Sequence, residues 1–304
     1  MKIQALVQGS STRGLLSIAL SAVLWGTVGV AVKAVYALAD TNPLSIGFLR
    51  LAISLPALLW LSWFVLGARM FRVARRDLVL MMLIGIMMAL YQVCYFGAIA
   101  KVGVAIAVLV TLCTAPVLVA VLSLWLFGEK LTSWLMLALG LALVGTTLLV
   151  EVPANTTGEQ GNTIIGVVLA LGSAFSYAVI TLCSRALRRY HPLQSLTIGF
   201  GTGAIILLPF ALSHSFAISY PVSAWVLLLY LGLVPTVLAY VLFLQGIRHT
   251  TATAASITTL VEPLTSTLLA GLFFNEQLGV FGLFGGMLLF AAIVLLLRSG
   301  FQQD

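Results

Sequence analysis

Charge is the scarcest commodity in this chain: 8% of its 304 residues are Asp, Glu, Lys or Arg, against about a quarter in an ordinary soluble domain. Fifteen basic and eight acidic side chains cannot cover a water-facing surface of this size. A soluble globular fold is thereby excluded. Disorder is excluded too, because it requires low hydrophobicity together with high charge. Cysteine is nearly as rare. Cys94, Cys113 and Cys183 each sit inside an apolar run with no second ligand at metal-binding spacing, so they read as small buried hydrophobes rather than disulfide or zinc partners. There is no GxxxxGK[ST] phosphate loop, so ATP-driven pumping by this chain alone is not expected. There is no HExxH pair either, and His191, His214 and His249 are scattered without a Ser–His–Asp set. The expectation is therefore of no catalytic residue, no metal and no cofactor. A channel would show rings of charge or a carbonyl-rich filter, and neither is legible.

What fills the chain instead is hydrocarbon: 62% of residues are hydrophobic and the mean hydropathy is +1.17. A bilayer core of about 30 Å takes about 20 helical residues. Ten apolar runs of roughly that length appear: 15–38, 44–66, 78–100, 102–127, 131–150, 164–183, 193–212, 224–246, 251–274 and 278–297. They do not alternate as the strands of a transmembrane barrel would, so an all-α membrane protein with ten transmembrane helices is predicted. The run from Leu15 is longer than a signal-peptide core and no A-x-A site follows it, so it reads as the first span. With the amino terminus placed in the cytoplasm, 12 of the 15 Lys and Arg residues fall on the cytoplasmic side, as the positive-inside rule requires. Both termini are then cytoplasmic. The net charge of +7 is explained by this placement and not by a basic stripe, so no nucleic-acid partner is expected.

The longest polar stretch, EVPANTTGEQGN at 151–162, divides the spans into five and five. It defines a first repeat at 1–150, an outer linker at 151–162 and a second repeat at 163–304. Shifting the second half back by 147 positions brings Pro116, Phe127, Glu129 and Leu131 onto Pro263, Phe274, Glu276 and Leu278, with Gly85 on Gly232, Phe96 on Phe243 and Thr111 on Thr258. Five is odd, so the second copy enters the membrane from the opposite side. Inverted repeats of this kind commonly build alternating access around a site near the midplane. Secondary transport is the leading class.

The opening SAVLWGTVGVAVKAV, the second-span FLRLAIS and the Pro-to-Glu segment ending each half resemble the ten-helix EamA-type proteins of the drug/metabolite transporter superfamily. The resemblance covers the whole chain and looks most like the bacterial inner-membrane exporters of aromatic and other amino acids. It implies a basket of helices around a central cavity, with helices 5 and 10 peripheral. It also implies amino acids as the small-molecule substrate and a bacterial plasma membrane as the location.

Ionisable groups at bilayer depth cost about 2.5–3.5 kcal/mol each on insertion scales, so they usually face the bundle interior or water. Three qualify. Glu262 lies midway along the ninth span, before Pro263 and on a face with Thr258 and Thr265; it reads either as a proton carrier or partner for a substrate amine, or as a structural acid. Lys33 and Arg50 lie toward the outer ends of their spans, where long side chains snorkel; the alternative makes them gate, ion-pair or substrate-carboxylate contacts. Candidate pocket walls are Tyr91, Gln92 and Tyr95 on one span, Ser173 and Tyr177 in step with Thr181 on another, Trp25 in step with Ser21, and Tyr240. For each of these the competing reading is polar glue between helices. Besides solute and lipid, protons are the candidate coupling partner. A monomer is the favoured assembly, although Gly282 and Gly286 form a ridge of the kind that packs helices within or between subunits. Asn155-Thr156-Thr157 is a glycosylation triplet in the linker.

Overall fold

The computed structural model describes residues 2–149, 160–213, 220–274 and 279–299, and the elements within them are all helical. Lipid offers no hydrogen bonds, so each span must satisfy its own backbone. The first two spans are α1 (Lys2–Leu38) and α2 (Pro43–Leu66). α2 starts where Asn42 accepts the Ser45 N–H at 2.8 Å and Pro43 supplies a preset first turn. A short 3-10 turn (Gly67–Phe71) leads to α3 (Arg75–Phe127), whose 53 residues would make a rod of about 80 Å if unbroken. Gly103 breaks it at φ 79°, so α3 is two spans, Arg75–Gly103 and Ile106–Phe127. Then follow α4 (Ser133–Leu149), α5 (Gln160–Ala186) and α6 (Pro192–Ser213).

The eighth crossing joins α7 (Val222–Gly232) to α8 (Ala239–Gly246) through a π turn at Leu233–Leu238. In the ninth, α9 (Ala252–Thr258) and α10 (Val261–Phe274) are separated by a turn at 259–260. The last helix is α11 (Val280–Ser299). Among the described residues eight spans are long and apolar enough to cross a membrane, and Ser133–Leu149 and Val280–Leu296 are shorter apolar helices, making the ten expected. The protein is a multi-pass, all-α membrane protein. The predicted linker and its glycosylation triplet lie largely outside the described residues, and Gln160 already belongs to α5.

The exterior is hydrocarbon. Trp125, Phe64 and Leu272 are about four-fifths exposed, an arrangement that only lipid tolerates over so wide a surface. Inside, small residues bring backbones together. α4 and α11 pack chiefly on one another at the edge of the bundle, and Gly286 meets Leu264 of α10 within the chain. Buried hydroxyls pair across helices, Ser62 with Thr197 and Ser123 with Thr253, each at 2.8 Å.

Successive spans alternate in direction, so the loops at 67–74, 128–132, 187–191 and 247–251 share one end, here the basic end. α1 leaves this end and α5 returns to it, so the two sets of five helices run in opposite senses. Side chains tie the loops of the basic end together. Arg189 pairs with Asp77, and this hydrogen-bonded carboxylate holds the guanidinium above its ordinary pKa. Gln194 donates to the Met70 carbonyl at 2.8 Å, and Arg185 donates to that of Ile247 at 2.8 Å. The Tyr190 hydroxyl donates to Asp77 at 2.6 Å and accepts the Ala74 N–H at 3.3 Å. Two hydrogen bonds, one charged, hang on that oxygen. Tyr190→Phe should therefore lower stability by about 1–3 kcal/mol, read as an earlier thermal unfolding transition in detergent.

Candidate functional site

The site is organised by two prolines that interrupt their helices. Pro263 has no N–H to give the Thr259 carbonyl, and Glu262 N–H bonds it instead at 2.9 Å, tightening the chain into the turn between α9 and α10. Glu262 follows Ala252 by ten residues, about 15 Å into the bilayer and so near its midplane. In the eighth span Pro235 leaves the Leu231 carbonyl without its usual donor. The Thr236 hydroxyl donates to that carbonyl at 2.6 Å and accepts from Arg50 Nε at 3.2 Å. Arg50 is thus drawn inward, away from the interface to which snorkelling would have carried it; Lys33 stays exposed on α1.

A cavity lies at Glu262. Tyr91, Thr111, Ala115 and Pro116 line it from the two spans of α3, Tyr177 from α5, and Ser256, Thr259 and Glu262 from the broken ninth span. The Tyr177 hydroxyl is held by the Thr259 hydroxyl at 2.8 Å. The Glu262 carboxylate has no hydrogen-bond partner among the described residues, although the side chain is half-buried. Arg50 lies within electrostatic reach of Glu262, Tyr91 and Tyr240, yet no ion pair joins the two charges. The cavity measures about 30 Å³, room for a water or two and too small for an amino acid. This cavity by itself is therefore smaller than the solute-sized chamber expected from the sequence.

Of the residues singled out from the sequence, Tyr91, Tyr177 and Glu262 meet at the cavity, and Tyr95 stacks on Tyr91 with centroids 5.7 Å apart. The others lie elsewhere. Trp25 and Tyr240 form an aromatic cluster with each other at 4.8 Å and with Phe243 and Phe200. Gln92 fills the space above Gly47 of α2 where a Cβ would stand. Ser173 is fully buried in α5, its hydroxyl without a partner among the described residues. Thr258 back-bonds to the Ala254 carbonyl at 2.7 Å and is not among the residues lining the cavity, from which the turn at 259–260 separates it. Thr111, Ser256 and Thr259 are the lining hydroxyls that sequence reasoning passed over. Thr111 did carry a signal, as the repeat partner of Thr258.

A model of the EamA-like transporter family matches residues 12–151 and again 164–298. The chain belongs to the EamA-like transporter family. Among the relatives of this EamA-like protein is an uncharacterised transporter of Archaeoglobus fulgidus, 34% identical over 284 residues that span 93% of this chain and 96% of the other. A Pseudomonas aeruginosa protein named pseudopaline exporter CntI is 25% identical over 74% of this chain and 77% of its own length. The fold also matches a crystal structure with a TM-score of 0.77 at 20% identity, covering 91% of this chain and 94% of that one. The cavity beside Glu262 offers both apolar walls and polar groups.

Proposed function

We propose that this protein is a secondary transporter that exports small amphiphilic metabolites, amino acids including aromatic ones among them, across a bacterial plasma membrane by alternating access. In this reading both termini and the basic end face the cytoplasm. The segments 1–150 and 163–304 are inverted repeats joined by the linker at 151–162, and the family model's separate matches to the two halves support this. One observation carries the proposal: the cavity draws equivalent positions from oppositely directed halves. Leu112 and Thr259, and likewise Ala115 and Glu262, are related by the 147-residue displacement and line the same space. A site shared in this way changes exposure when one half rocks against the other. An ion pair and hydrogen bonds tie the loops of the basic end together, so in this reading solute enters from the cytoplasm only after those contacts part.

Flux of radiolabelled amino acids in proteoliposomes, with and without an imposed pH gradient, tests this. Exchange of several amino acids is expected, accelerated by the gradient in the wild type. Glu262→Gln should lose the response to the gradient, since Glu262 is the one carboxylate at the cavity among the described residues. Gradient-independent flux in the wild type would remove Glu262 as the proton carrier. Export of another metabolite class is the second reading, favoured by the relative named as a pseudopaline exporter; flux of such solutes with none of amino acids would decide for it. A chemically altered product would instead mark an enzyme.

A further inference from the structure

Two opposite charges stand near the middle of this bundle with their functional ends uncommitted. Glu262 is about 15 Å from the basic end, and Arg50, seven residues into α2, is about 10 Å from the other end. In a core of about 30 Å they are therefore separated in depth by about one helical turn. Thr236 holds the Arg50 guanidinium by Nε alone, and among the described residues nothing bonds its two Nη groups. The Glu262 carboxylate opens on the cavity equally unpartnered. Burying isolated charges is expensive, and direct contact would relieve much of the cost, yet the two remain apart.

We infer that Arg50 and Glu262 form a two-ended clamp for the zwitterionic head of an α-amino acid, with Arg50 taking the carboxylate and Glu262 the ammonium. The inference rests on the transport reading above and adds to it the polarity of the bound solute. The chemistry fits each end. With Nε occupied, the free Nη pair presents a fork that a carboxylate can meet with two parallel bonds. The carboxylate of Glu262 accepts from an ammonium and repels a solute acid. A solute carrying both charges on groups bonded to one carbon satisfies both residues at once; a simple cation or anion leaves one of them bare. The stacked pair Tyr91 and Tyr95 stands beside the clamp as a flat apolar wall for the rest of the solute.

The test is counterflow of radiolabelled phenylalanine in proteoliposomes, with leucine and threonine in parallel. Unlabelled phenylalanine, phenylalaninamide and N-acetylphenylalanine serve as competitors. The amide lacks the carboxylate and the acetyl derivative lacks the ammonium, so each should compete on the order of 100-fold or more weakly than the parent, because a buried partner is left unpaired. Arg50→Gln should abolish the discrimination against the amide and keep that against the acetyl derivative; Glu262→Gln should do the reverse. If either variant fails to fold, the competitor series on the wild type decides alone. Equal competition by all three compounds overturns the clamp and leaves the transport reading intact; exchange confined to solutes without the paired charges overturns the clamp and the amino-acid reading together. Absence of exchange for every solute overturns both.

Discussion

Replacing Gly85 by alanine is expected to cost the protein most of its folded yield. A Cβ at that position would stand 2.1 Å from the Gly199 carbonyl oxygen and 2.8 Å from the Gly203 nitrogen, both backbone atoms of α6. Side chains can rotate out of the way; these atoms move only if α3 and α6 separate along the crossing. Overpacking a well-fitted interior costs about 1–3 kcal/mol and sometimes more. In a membrane there is little hydrophobic drive to restore the contact, since association rests on close packing itself. Gly140→Ala is the control, because nothing lies within 4 Å of the added methyl and alanine is the better helix former by about 1 kcal/mol. Thermal unfolding followed by size-exclusion chromatography should show the first variant falling and the second unchanged or raised. Equal behaviour would mean that α3 and α6 do not cross where the structure puts them.

Truncation of Glu129 is the second large effect. Its carboxylate accepts from the backbone N–H groups of Ala252 at 2.8 Å and Thr253 at 3.3 Å, and from the Thr253 hydroxyl at 3.0 Å. The negative charge thus sits at the start of α9, where helix N–H groups lack internal partners. Hydrogen bonds to a charged group contribute about 1.5–3 kcal/mol each, and three on one residue are not additive, so Glu129→Ala should lose about 2–4 kcal/mol. The loss falls on contacts that join the two halves at the basic end. Closure there should weaken with it. A cysteine at position 256, in a variant with the native cysteines replaced, should react with a thiol reagent supplied at the basic end at least tenfold faster after Glu129→Ala, which corresponds to about 1.4 kcal/mol of lost closure. Glu129→Gln keeps an acceptor oxygen without the charge and should fall between. Unchanged labelling in both variants would show that Glu129 caps α9 without holding the two halves together. The repeat partner, Glu276, lies outside the described residues.

The spans were legible because bilayer thickness sets a length that any apolar run must meet, and it does so without regard to tertiary contacts. Glu262 was legible for the same reason, as a charge where none is cheap. What the sequence could not show was phase and direction. Thr258 and Glu262 are four apart and would share a face on an unbroken helix, but whether the proline at 263 merely bends the chain or resets its rotation depends on which carbonyl finds a substitute donor. Arg50 looked able to reach the interface; its actual partner, Thr236, lies 186 positions away and faces it only because the chain forms a π turn there. Trp25 and Tyr240 offered the amphipathic surface expected of a pocket wall, and they pack instead in tilted and edge-on contacts with each other, Phe243 and Phe200. Ser256 and Thr259 were invisible as site residues because small hydroxyls in membrane helices most often serve their own backbone, and Thr111 showed only as the repeat partner of Thr258.

The hydroxyl of Thr236 binds the Leu231 carbonyl and the Arg50 side chain at the same time, which makes the shape of the eighth span and the aim of the guanidinium a single mechanical variable. Were that span to straighten into regular helix during a cycle, the oxygen would rotate away and the arginine would swing free. A solute's grip would then loosen in step with the motion that exposes it to the other side.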